Sequence, residues 1–424
     1  MPIELMAIGD SIYNGVRSLT IKADLAAHSV PAQVASAFRW EFVSPDYPRP
    51  MLADFEQVFS DPLAGTLDLL RNAATNAHAW LAQASWSQHA LFHNLSIAQQ
   101  VVNDLTTANY STALTTAQQL ASLGASMAIN QLPKLYQALN TCFVLNPQRN
   151  NADARTAIDI LAAAKPKRLL INIGINDGLW TLLLMGDASD YQTRIDPTAA
   201  MATLARALSD KCGDIENFYI NLFPKPSAIA NLMPRTDDES PNGGYFSQYL
   251  GRLIQAGGIP GTTMQAIDDW VNTDLNPRIR TAFQPLGARA HFVDLYAMNA
   301  AYDRKNGIAT KSVIVNSGAT QILLDNLPLE VLPIVGGRRD GGLFGLDNLH
   351  PTVVGYGLIA QAVCDTIAAT EGLAPTVINP QSCYDADTLL HNLPPQIALA
   401  DFVLGFIGAF IPPPGGTTDA AASV

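Results

Sequence analysis

"MAIGDSIYNG", residues 6–15, puts a Gly-Asp-Ser turn directly after an apolar run near the start of the chain. The run opens as "IELMAI" from Ile3. It reads as a short buried strand ending at Gly9, because compact apolar residues give way at once to turn formers. Ser11 therefore falls at a strand-to-loop junction. A serine there is commonly a cap or turn residue. To act as a nucleophile it needs a base and a charge-stabilising site from elsewhere in the chain.

Working outward, three later segments repeat one pattern, a helix followed by an apolar strand: "ARTAIDILAAAKPKRLLINIG", "AAMATLARALSDKCGDIENFYINLF" and "QAIDDWVNTDLNPRIRTAFQPLGARAHFVDL". Strands alternating with helices predict an α/β fold, a parallel sheet with helices on both faces. "HPTVVGYGLIAQAVCDTIAATEG" reads as a closing helix with Gly372 just past its end. Between about Leu52 and Leu145 the chain is rich in Ala, Leu, Gln, Thr and Asn at helical spacing, which predicts a helical insertion. The main domain is accordingly expected over residues 1–375 with the insertion at about 52–145, and residues 376–424 as an apolar segment and a flexible tail.

A chain of 424 residues, 48% of them hydrophobic, can bury a sizeable core. With a net charge of -12 it offers no basic field for phosphates, so nucleic acid partners are not expected. Cys142, Cys212, Cys364 and Cys383 are scattered without a metal-like spacing, which leaves zero, one or two disulfides open. Met1–Ile8 lacks the flanks of a secretory signal, so the expectation is either a chain without a leader or a mature form that has lost one. "IALADFVLGFIGAFI", Ile397–Ile411, falls short of the about 20 residues a spanning helix needs. It is read as a packed element, with weak lipid contact as the alternative.

In an open α/β sheet reactive groups gather at the carboxyl ends of the strands. Polar residues cluster at three such places here: Gly9, Asp10 and Ser11; Gly174, Asn176 and Asp177; and Asp347, Asn348 and His350 just before the closing helix. Serine requires a base within hydrogen-bond reach, and the imidazole of His350 suits that role. Asp347, three residues earlier, is placed to orient the ring. Acyl transfer builds charge on the former carbonyl oxygen, for which the Ser11 N–H and the Asn176 amide are candidate donors. Asp10, Asp177 and Asp347 lack the accompanying His/Asp spacing of a divalent-metal site, so neither metal nor cofactor is expected.

Together these blocks resemble the SGNH, or GDSL-type, family of serine ester hydrolases, in "IGDSIYNG", "IGINDG" and "DNLHPTVVGYGLIA". The likeness runs in order from about Ile3 to Leu373. It implies a flavodoxin-like three-layer α/β/α fold, Ser11 as nucleophile, His350 as base and then acid, Asp347 as its orienter, and Asn176 as an oxyanion donor. One block departs from the family pattern. In "HNLSIAQQVVNDL", His93–Leu105, Gln99 stands where the family carries a glycine that donates its N–H to the oxyanion. That glycine is wanted for its φ angle or for close approach to substrate. Gln99 is read as a donor through its N–H or its amide, or as a plain loop residue.

The expected activity is hydrolysis of a carboxylic ester, esterase- or lipase-like, on a small or lipid-like substrate with an acyl chain or aryl group. Carbohydrate deacetylation, acyl transfer to an alcohol, and a silent binding protein on the same fold are the alternatives. Trp40, Trp80 and Trp86 read as packing residues, whereas Trp180 and the loop "FVSPDYPRPM" are candidates to line the substrate pocket.

Overall fold

A computed structural model describes residues 2–60, 66–124, 127, 129–150, 153–179, 182–183, 186–235, 239–251, 258–329, 338 and 340–393. Four parallel strands form the central sheet: β1 (Leu5–Gly9), β2 (Arg168–Asn172), β3 (Asn217–Asn221) and β4 (Ala290–Val293), side by side in that order. Ile8 lies beside Ile171, Ile171 beside Ile220, and Asn221 beside Val293, so the carboxyl ends of all four come out along one edge.

A further stretch runs parallel to β1 on its free side. The Ala7 N–H donates to His93 O at 2.9 Å, Leu95 N–H to Ala7 O at 2.8 Å, and Ile97 N–H to Gly9 O at 2.9 Å. Counting residues 93–97 as an edge position gives the 2-1-3-4-5 order of flavodoxin-like sheets. These residues lie inside the stretch read as helical. They pair through the backbone, so the polar sequence "HNLSI" shows no strand periodicity.

Side chains alternate across the sheet, as the pleat requires. Met6, Ile8, Leu169, Ile171, Phe218 and Ile220 face one core, which holds the helices Ala157–Ala164 and Thr198–Lys211. Leu5, Ala7, Leu170 and Tyr219 face the other, against the helices Val30–Phe38 and Val353–Glu371. Both faces are covered, which is why the strands read as continuous apolar runs. The three-layer α/β/α architecture is thus the one expected, and each of the three repeated segments supplies its helix and its strand.

Between residues 52 and 145 the helices Thr66–Ala82, Tyr110–Ser122 and Leu132–Leu145 pack on the first core, with Trp80 and Trp86 edge-on to Phe143. Past the composition shift at Pro375 the chain forms the short helices Pro380–Ala386 and Thr388–His391. Asp387 ties them to the domain: one oxygen pairs with the buried Arg17 at 2.9 Å and the other accepts the Val353 N–H. Residues 397–411 lie outside the described residues. All four cysteines are buried free thiols, and burial pushes Cys212 and Cys383 up to about 11.

Candidate active site

Gly9 ends β1 where a side chain has no room. A Cβ there would sit 2.2 Å from the carbonyl oxygen of Asn172 on β2. The next residue, Asp10, caps the four-residue helical turn Ser11–Asn14, its Oδ1 accepting the Ile12 N–H at 3.1 Å. Ser11 is therefore the first residue of that turn and is only 5% exposed.

Beneath it, polar side chains from three adjacent strand ends form a hydrogen-bonded row. Asn172 Nδ2 donates to Asp10 Oδ1 at 2.8 Å, Asn221 Nδ2 to Asn172 Oδ1 at 2.9 Å, and the Tyr13 hydroxyl to Asn221 Oδ1 at 3.1 Å. Every member is buried, and each bond replaces one lost to water.

The second half of the site comes from "DNLH". Asn348 takes a left-handed backbone, φ 57°, a conformation Asn tolerates. That turn lets Asp347 Oδ1 accept both the Leu349 N–H at 3.0 Å and the His350 N–H at 2.9 Å. Asp347 Oδ2 accepts the Leu19 N–H at 2.9 Å and lies 2.7 Å from His350 Nδ1. Burial alone would raise the Asp347 carboxyl. The His350 ring and these donors outweigh it and hold the carboxyl below its ordinary value. Just beyond, Thr352 caps the long closing helix, accepting the Gly355 N–H.

Three loops are sewn together around Ser11. Asn94 Nδ2 donates to Tyr13 O at 2.7 Å and Asn14 Nδ2 to Ser96 O at 2.8 Å. From the other side Asp177 accepts the Val102 N–H at 3.1 Å, and Asn176 Nδ2 donates to Gln100 O at 2.9 Å. Burial pushes the Asp177 carboxyl up to about 7. Gln99, in the middle of this seam, adopts φ 67°.

Ser11 and His350 open onto one cleft. Its walls are mostly apolar: Ile175, Leu179 and Leu183 on one side, Leu295, Met298 and Ile359 on the other. A site of this kind can move a proton from a hydroxyl to an imidazole whose other nitrogen is held by a carboxylate, next to a greasy surface.

A model of the GDSL-like lipase/acylhydrolase family matches residues 5–363. The chain belongs to that family. No curated protein and no solved structure matches it. Membership gives it acyl-transfer chemistry of the hydrolase and acyltransferase kind.

In this family member Ser11, Asp347 and His350 come together from the two ends of the chain. Asn176 and Gln99 meet in the seam beside them and are not part of the cleft lining. The family glycine is answered by conformation: position 99 requires a left-handed backbone, and here glutamine supplies it at a cost of about 1–2 kcal/mol. The Gln99 N–H makes no hydrogen bond among the described residues.

The loop "FVSPDYPRPM" does not line the cleft. Tyr47 is drawn into the core, where its hydroxyl bonds Asn14 and Asn140 and its ring lies 4.6 Å from that of Phe143. Trp180 lies outside the described residues. Sequence reasoning missed Asn172 and Asn221, although both end their apolar strands as "LLIN" and "FYIN". It also missed the wall from Leu295 to Tyr302, whose apolar residues carry no motif.

Proposed function

We propose that the protein hydrolyses carboxylic esters of medium to long acyl chains through an acyl-enzyme on Ser11. The observation that carries this reading is that Ser11 and the Asp347-bound His350 open onto one largely apolar cleft. His350 takes the Ser11 proton as Oγ attacks the ester carbonyl, and returns it to the leaving alcohol. Water then enters, gives its proton to the same ring and releases the acid. The Ser11 N–H, the Gln99 N–H and the second amide hydrogen of Asn176 receive the oxyanion. Transfer to an alcohol uses the same acyl-enzyme with a different acceptor.

The test is turnover of p-nitrophenyl esters from acetate to palmitate by the purified protein. Each methylene buried in the cleft contributes about 0.8 kcal/mol. kcat/KM is therefore expected to rise several-fold per added carbon until the cleft is full. A flat profile with acetate as good as octanoate removes the acyl-chain reading, and inertness toward every ester removes the hydrolase reading.

The role of Gln99 has its own measurement. Gln99→Ala keeps the backbone N–H and the left-handed strain, so kcat is expected to stay within about threefold of wild type. A loss of about a hundredfold or more would assign the oxyanion contact to the side-chain amide instead.

A further inference from the structure

Asp10 stands outside the relay from Ser11 through His350 to Asp347, and its two oxygens are unequal. Oδ1 accepts from the Ile12 N–H and from Asn172 Nδ2. Oδ2 belongs to a side chain only 1% exposed and makes no hydrogen bond among the described residues. Asp10 lines the same cleft as Ser11 and His350. A capping role needs only one acceptor and no charge, since asparagine or serine caps as well as aspartate. Burying a carboxylate with one oxygen left bare is costly, and a cap alone does not account for it.

We infer that Asp10 is a second carboxylate for His350, stabilising across the cleft floor the imidazolium that forms when the ring takes the Ser11 proton. Asp347 holds the ring from behind through Nδ1, and Asp10 acts through space from the cleft side, where charge develops during reaction. The low-dielectric surroundings make such an interaction stronger than in water. This rests on the proposed hydrolase reading, in which His350 gains a charge.

The electrostatics agree with the geometry. Burial pushes Asp10 up to about 7, against the Ile12 and Asn172 hydrogen bonds and the charge of His350, which favour its ionised form. The coupling is mutual, so ionised Asp10 favours protonated His350. Of the other groups facing this region, Tyr13 and Tyr356 are held neutral by burial, well above the working range. Asp177, also near 7, acts on Asp10 through space, and Asp347 stays ionised.

The experiment compares wild type with Asp10→Asn, which keeps the capping acceptor and removes only the charge. The His350 ring proton is followed by NMR against pH, assigned with His350→Gln, alongside the pH profile of kcat/KM. The His350 midpoint is expected to fall by on the order of one pH unit in the variant, with kcat down about tenfold. The acid limb of kcat/KM is expected to move to lower pH with it. An unchanged midpoint with kcat within twofold of wild type overturns the inference. If Asp10→Asn does not fold, Asp10→Ser, which also caps without charge, repeats the measurement. The titration needs no turnover. A protein inert toward every ester whose midpoint still moves therefore loses the hydrolase reading and keeps the charge coupling.

Discussion

Ser11→Ala is expected to lower kcat for ester hydrolysis by roughly a millionfold, to the residual rate given by substrate binding and oxyanion contacts. The mechanism routes every turnover through a covalent bond to Oγ, and alanine has no atom to form it. Stability is expected to change little. Ser11 is the first residue of a helical turn capped by Asp10, and alanine is a good helix former at such a position. The pair of measurements separates chemistry from folding: steady-state hydrolysis of the best p-nitrophenyl ester, and the midpoint of thermal unfolding. A variant that keeps a tenth of wild-type activity would place the nucleophile elsewhere. One that unfolds several degrees lower would show that the hydroxyl carries a structural bond as well. Intact-mass detection of an alkyl fluorophosphonate adduct on the wild type, absent from the variant, gives the same answer without relying on the choice of ester.

Much of this arrangement was legible in the sequence because it depends on local chemistry. Apolar runs buried on both faces had to be parallel strands, and polar residues just past them had to collect at one edge. That logic located Ser11, Asn176, Asp347 and His350. It could not reach features made by backbone pairing across long separations. Residues 93–97 enter the sheet edge through main-chain bonds to Ala7 and Gly9, leaving no mark in side-chain periodicity. Asn172 and Asn221 were absorbed into their strands, since a single polar residue at the end of an apolar run looks like a terminus. Only their placement side by side with Asp10 turns them into a row. Position 99 shows the converse limit. The sequence exposed the missing glycine, but φ 67° was needed to separate a demand on conformation from a demand on space.

Asp347→Asn is expected to cost about ten-thousandfold in kcat, because an amide cannot both accept from Nδ1–H and stabilise the imidazolium. It also costs stability. The native carboxylate accepts the N–H groups of Leu19, Leu349 and His350 as well as the ring contact, and an amide has only one oxygen to offer four donors. Leaving buried donors unmet amounts to roughly 1–3 kcal/mol each, so a lower unfolding midpoint at neutral pH is expected. The sign with pH follows from the depressed carboxyl of the folded state. An unfolded aspartate takes up its proton near about 3.9, before the native one does. The stabilisation by Asp347 is therefore fully present above that value and drains away as pH falls through the lower, folded one. Unfolding curves from pH 7 down to pH 3 should show wild type and Asp347→Asn converging in acid. Parallel curves would mean that the carboxylate is not held by its charge. Because activity and stability fail together here, the kcat comparison belongs at a temperature well below the variant's midpoint. Equal kcat under that condition would remove Asp347 from the relay, whatever its part in the fold.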